Sequence, residues 1–211
     1  MCLARPRTAG SESGTVGAVA ALPRPVVRRT ISVAAVLLAT AGILVASPLA
    51  LPLLGLVDLL RPGPAWRTRT WCLVAGALVN EVAGVTLAAA MTLRFLGRND
   101  RPAAQRRFHR LEHWWAARHA LNFRRFAGVR WVIENPEEID HGPAVVLARH
   151  SSHIDAILPV LLFGVGQGLE LSYTLKVSLH LAPALDIFGN RLPNVFVDRH
   201  PGPDSPMDAE L

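Results

Sequence analysis

Hydrophobic and polar positions divide this chain into blocks of different character. Residues 1–30 mix Ala, Gly, Pro, Ser and Arg without a period, which reads as a disordered basic tail. From Ile31 to Val57 no side chain is charged. A helix over that stretch would span ~40 Å at ~1.5 Å per residue, more than the ~30 Å apolar core of a bilayer. Pro48 and Pro52 interrupt it. Proline removes a backbone donor and crowds the preceding turn, so a kink, or an end near Ser47, is expected. The Pro/Gly turn "RPGPAWRTRT" (61–70) leads to a second apolar stretch, Trp71 to Leu93. There Gly76, Asn80, Gly84 and Ala88 share one helix face, small enough to admit a neighbouring helix. Glu81 is costly in lipid. It is expected either hydrogen-bonded or protonated between packed helices, or as a functional carboxylate. Residues 31–95 thus predict a membrane-associated helical hairpin.

Residues 96–127 form a basic connector, with "RPAAQRRFHRLEHWWAARHALNFRRF" at its centre. Phe108, Leu111 and Trp115 fall on one helical face, which predicts an amphipathic helix. Trp114, Trp115 and the arginines suit a headgroup layer, and equally a helix packed on the domain that follows. The pattern changes at Gly128. "GVRWVIEN", "AVVLARH", "LELSYTLKV" and "NVFVDR" read as strands, and "SSHIDAILPVLLF" as a helix capped by Ser151 or Ser152. Strands alternating with helix predict an α/β domain over 128–200, followed by a Pro-rich tail, 201–211.

Composition narrows the partners. Hydrophobic residues make up 51% of the 211, and the net charge of +6 comes from 22 basic against 16 acidic residues. Lys176 is the only lysine. This balance suits an anionic partner: membrane phospholipid, an acidic carrier protein or nucleic acid. No nucleic-acid motif accompanies the basic connector, which adjoins the hairpin, so nucleic acid is set aside. Cys2 and Cys72 have neither disulfide nor zinc spacing. Arg24, Arg28 and Arg29 precede the first apolar stretch, and Arg94, Arg98 and Arg101 follow the second. That bias places both ends of the hairpin in the cytoplasm, whether it spans the membrane or enters and leaves on one face. A twin-arginine export signal would also begin with "RRTISVAAVLL". The long preceding segment and the second apolar stretch argue against it.

The candidate chemistry lies in "ARHSSHID", residues 148–155. A strand-to-helix junction there puts His150 at the carboxyl end of a strand and Asp155 in the first helical turns, where open α/β sheets place their chemistry. Three readings stand. His150, His153 and Asp155 could ligate a metal, although no distant fourth ligand is evident. The stretch could be a capped turn with exposed histidines. Or Asp155 could orient His150 as a general base acting on a substrate hydroxyl.

The flanking motifs favour the last. "HSSHID" has the form H-x-x-x-x-D, and "NVFVDR" (194–199) follows some forty residues later. In this order the chain resembles the glycerolipid acyltransferase family, which includes lysophosphatidic acid (1-acylglycerol-3-phosphate) acyltransferases. The resemblance covers 128–199. It implies that His150 deprotonates an acceptor hydroxyl, that Asp155 orients it, and that the hydroxyl attacks an acyl thioester. It also implies that Arg199 binds the acceptor phosphate, a task for which a guanidinium is suited. Lys176 is a further candidate for the anionic substrate, and His153 fills an unconstrained motif position. The donor is expected to be acyl-CoA or acyl carrier protein, with no metal or other cofactor. The acceptor is expected to be a lysophospholipid, and the site a cell membrane with the catalytic domain on the cytoplasmic face. The family's third motif, near E-G-T-R, does not follow "NVFVDR". The expected architecture is therefore a hydrophobic helical hairpin followed by an incomplete, C-terminally truncated acyltransferase-type α/β domain.

Overall fold

A computed structural model describes residues 24–61, 63–96, 100–134, 145–147 and 157–197. Its elements, in chain order, are α1 (Pro25–Leu60), α2 (Trp66–Arg94), α3 (Arg101–Asn122), β1 (Thr174–Lys176), α4 (Pro183–Gly189) and β2 (Val195–Val197). Two π-helical segments, Phe123–Ala127 and Val160–Val165, and a 3₁₀ turn at Val177–Leu181 complete the chain trace.

α1 continues through Pro48 and Pro52 as one helix, so of the two expected outcomes, a kink or an end near Ser47, the end does not occur. Pro48 leaves the carbonyl of Leu44 without its helical donor, and Pro52 does the same to Pro48. Polar side chains nearby take part in the helix instead: Ser47 Oγ donates to the Ile43 carbonyl at 2.6 Å and accepts from Trp71 Nε1 of α2 at 3.0 Å. At the far end Asp58 Oδ2 accepts from both the amide and the hydroxyl of Thr68, each at 2.9 Å, and Arg67 pairs with Oδ1 at 3.2 Å. α1 and α2 are therefore clasped as an antiparallel hairpin, and both are long and apolar enough to cross a membrane.

α3 packs antiparallel along the other side of α2. The small-residue face predicted on α2 forms this contact, with Asn80, Gly84 and Ala88 buried. A Cβ on Gly84 would lie 2.9 Å from Trp115 Cδ1, and one on Gly76 would lie 3.0 Å from the Asn122 amide. Asn80 Nδ2 donates to the Trp115 carbonyl at 3.1 Å, and Arg69 Nε to the Phe126 carbonyl at 2.7 Å. Gly128, at φ +71°, closes the π segment in the left-handed region, where the absence of Cβ removes the strain. Trp114 and Trp115, read together as interfacial, part company: Trp115 turns inward, and Trp114 stays exposed.

The expected α/β domain is not what the described residues form. Helices dominate, and the sheet has two parallel strands of three residues each, β1 and β2, with Thr174 opposite Val195 and Lys176 opposite Val197. Val129–Ile133 and Val145–Leu147 carry no regular structure, with Val145 89% and Leu147 93% exposed. A strand needs a neighbour for its backbone groups. These apolar runs have the composition of strands without a described ladder to join. Helix-on-helix packing supplies the core instead: Ala88, Phe108, Leu111, Ala184, Phe188 and Leu192 form its main cluster, where α2, α3 and α4 meet.

Candidate functional site

Three of the four residues expected to carry chemistry, His150, Asp155 and Arg199, lie outside the described residues, as does His153. Lys176 is described. It ends β1, is exposed, and stands opposite Val197, two residues before Arg199 in the sequence.

An open groove of about 820 Å³ lies between α3, Arg130–Ile133 and the helical segment from Leu158. Ala117, Ala120, Leu121 and Arg124 line it at helical spacing, facing Leu158, Leu161 and Leu162. Trp131, Val132 and Ile133, read in the sequence as part of a strand, form another wall. Among the described residues, Arg124 and Arg130 are its only charged lining residues. An apolar trough with two guanidinia suits a molecule with one long hydrocarbon part and one anionic part. Leu158 stands three residues after Asp155. Sequence reasoning missed this groove, although the Ala117–Ala120–Leu121–Arg124 spacing was a legible signal.

A second feature is a carboxylate hub at the other end of the fold. Asp186 of α4 is fully buried. Its Oδ1 accepts from Arg28 Nη2 at 2.8 Å and Asn190 Nδ2 at 2.9 Å and meets His180 Nδ1 at 2.7 Å; its Oδ2 accepts from Arg29 Nε at 3.0 Å. Burial pushes this carboxyl upward. The hydrogen bonds from Arg28 and Arg29, the Arg29 charge and the His180 bond outweigh burial and hold it below the ordinary carboxylate range. The His180 ring stacks on Phe196 of β2 at 3.9 Å between centroids. The paired arginines that resembled an export signal are thus structural partners of Asp186.

Glu81 is hydrogen-bonded between packed helices, one of its two expected states. Oε2 accepts from Trp115 Nε1 at 3.1 Å and Oε1 from the Ala184 amide at 2.9 Å. It ties α2 to α3 and to the start of α4.

A third feature is a polar cluster inside α3. His109 is 2% exposed, with Nδ1 3.6 Å from Glu112 Oε2 and Nε2 3.8 Å from Glu170 Oε2, both too long for hydrogen bonds. His113 packs so closely on Gly164 that a Cβ there would lie 2.6 Å from its Nε2. Burial lowers the His113 pKa, with Glu112 pulling it back, and raises that of the Tyr173 phenol, to which the Glu112 charge adds. "HRLE" (109–112) gives the i, i+3 spacing that signals this pair in the sequence. Among the described residues no three His, Cys, Asp or Glu side chains gather in a metal-holding group.

Comparison of the chain with protein-family models, with curated proteins and with solved structures finds no match.

Proposed function

We propose that this is a membrane-associated protein that binds single-chain anionic amphiphiles, and that it transfers an acyl group from a thioester to a lysophospholipid hydroxyl. The observation that carries the reading is the groove: an apolar trough with Arg124 and Arg130, beginning three residues after the H-x-x-x-x-D motif. In this reading His150 takes the proton from the acceptor hydroxyl, Asp155 orients it, and Arg199 and Lys176 attract the acceptor's phosphate. The oxygen attacks the thioester carbonyl of acyl-CoA or acyl carrier protein and the thiolate leaves, taking up the proton. The order of the two sequence motifs supports this chemistry. The helical fold does not add to it.

The hairpin fits insertion from one face better than a crossing. α3 flanks α2 from Ala88 to Arg69, roughly 30 Å at ~1.5 Å per residue. A crossing α2 would carry Arg107, Arg110 and Arg118 of α3 into the hydrocarbon, at ~2.5–3.5 kcal/mol per buried charge. α1, whose apolar side chains are largely exposed, can instead lie in one leaflet.

The groove reading is tested by titrating the full chain, in nanodiscs, with a fluorescent lysophosphatidic acid. Losing a hydrogen bond to a charged group costs about 1.5–3 kcal/mol, so Arg124→Gln with Arg130→Gln weakens binding roughly tenfold or more. Equal binding by the wild type and the double variant would remove the groove from the account.

A further inference from the structure

α1, α2 and α3 lie side by side, and α4 covers one side of this layer through Ala184 and Phe188, packed on Ala88, Phe108 and Leu111. The helical period groups a second set of α3 residues outside this cluster. Arg107, Arg110, Trp114, Arg118 and Leu121 follow steps of three and four residues, and Arg125 continues the row in the π segment. All six are exposed, and buried Leu111 borders the row. Among the described residues no carboxylate lies within ion-pair distance of these four arginines; the arginines that have such partners are Arg28, Arg29 and Arg67. Three of the four lie near aromatic rings instead. Arg118 lies 5.9 Å from the Trp114 ring centre, Arg107 5.7 Å from that of Phe95, and Arg125 5.8 Å from that of Phe126. α2 and α1 also expose apolar side chains such as Val79, Leu87 and Val45.

We propose that this row is a contact surface for anionic phospholipid headgroups. The four guanidinia take phosphate oxygens, each a forked donor matched to that geometry, and Trp114 and Leu121, the latter half-exposed where it also borders the open groove, enter the interfacial layer. Charge complementarity selects the partner: four cations without carboxylate partners, interleaved with apolar and aromatic groups, on a chain whose hairpin also exposes apolar surface. An acidic protein would satisfy the charges but not the apolar surface of the hairpin. The proposal rests on the membrane association argued above and adds to it a lipid preference and an orientation.

The test uses the full chain with Cys2→Ser and Cys72→Ser, carrying one nitroxide label at either Leu121→Cys or Val45→Cys. It is reconstituted in phosphatidylcholine vesicles with and without phosphatidylglycerol, and collision with an aqueous nickel chelate is read. Each arginine at an anionic surface is worth about fivefold in engagement. The label at 121 is therefore expected to lose collision rate about fivefold or more when phosphatidylglycerol is present. Added Arg107→Gln, Arg110→Gln, Arg118→Gln and Arg125→Gln should abolish that response. A label at 121 that ignores phosphatidylglycerol, while the label at 45 stays shielded, overturns the lipid-contact surface and leaves membrane association standing. A label at 45 open to the chelate in both vesicles refutes membrane association, and the surface falls with it.

Discussion

Arg28 Nη2 donates to Asp186 Oδ1 at 2.8 Å, joining residues 158 apart in the chain and fastening the start of α1 to α4. Both partners are buried, so the pair gives up hydration and depends on the extra bonds from Arg29, His180 and Asn190. Removing one partner leaves a charge uncompensated. Asp186→Ala is expected to destabilise the chain by about 3–5 kcal/mol in denaturant unfolding. Replacing both, Arg28→Met with Asp186→Leu, should recover much of that loss. A single variant as stable as wild type would show that the hub contributes nothing.

The same fold has a pH signature outside the hairpin. His119 lies edge-on to Trp115, at 4.4 Å between ring centres, and burial lowers its pKa to about 4. A histidine held below its unfolded value of about 6.5 stays neutral in the fold and takes up a proton on unfolding. Its contribution is therefore complete above pH ~6.5 and is lost as pH falls towards ~4, on the order of 3 kcal/mol across that window. Unfolding midpoints measured at pH 7 and pH 4.5 should converge in His119→Leu and diverge in the wild type. Asp186 acts with the same sign at lower pH, because its carboxyl is held below the unfolded value and loses its pairing only as that carboxyl protonates.

The close approach of α2 to α3 rests on a missing side chain. A Cβ at Gly84 would meet Trp115 Cδ1 at 2.9 Å and the Ala184 Cβ at 3.1 Å. Gly84→Val is expected to cost about 1–3 kcal/mol by overpacking. Gly42→Ala, where nothing lies within 4 Å, should be neutral or mildly stabilising through helix propensity. Thermal melts of the two variants side by side separate packing from propensity. Equal shifts would contradict the packing role of Gly84.

How much of this was legible follows from the range of each signal. The four-residue recurrence of Gly76, Asn80, Gly84 and Ala88 is a local pattern, and it gave the packed face of α2 without knowledge of what covers it. Glu81 could be read as a hydrogen-bonded interior carboxylate, but its donors, Trp115 and Ala184, are distant in sequence. Arg28 and Arg29 looked like part of a targeting signal because nothing local marks Asp186 as their partner. The α/β expectation failed for a different reason. Short apolar runs such as "AVVLA" have strand composition, but a strand exists only with a neighbour, and periodicity does not report one. β1 and β2 did form inside two of the predicted runs, each for three residues. The proposed catalytic pair, His150 and Asp155, was readable only as a motif, and it remains an assignment from sequence.

The central claim is acyl transfer driven by His150. Its most direct measurement is the transfer of a labelled acyl group from acyl-CoA or acyl carrier protein to lysophosphatidic acid by membranes carrying the full chain. A general base contributes about 10²–10⁴-fold, so His150→Ala should lower the rate by at least about 100-fold while the protein stays folded and membrane-bound. Equal rates for wild type and His150→Ala, or no thioester-dependent transfer by folded wild type, would contradict the account.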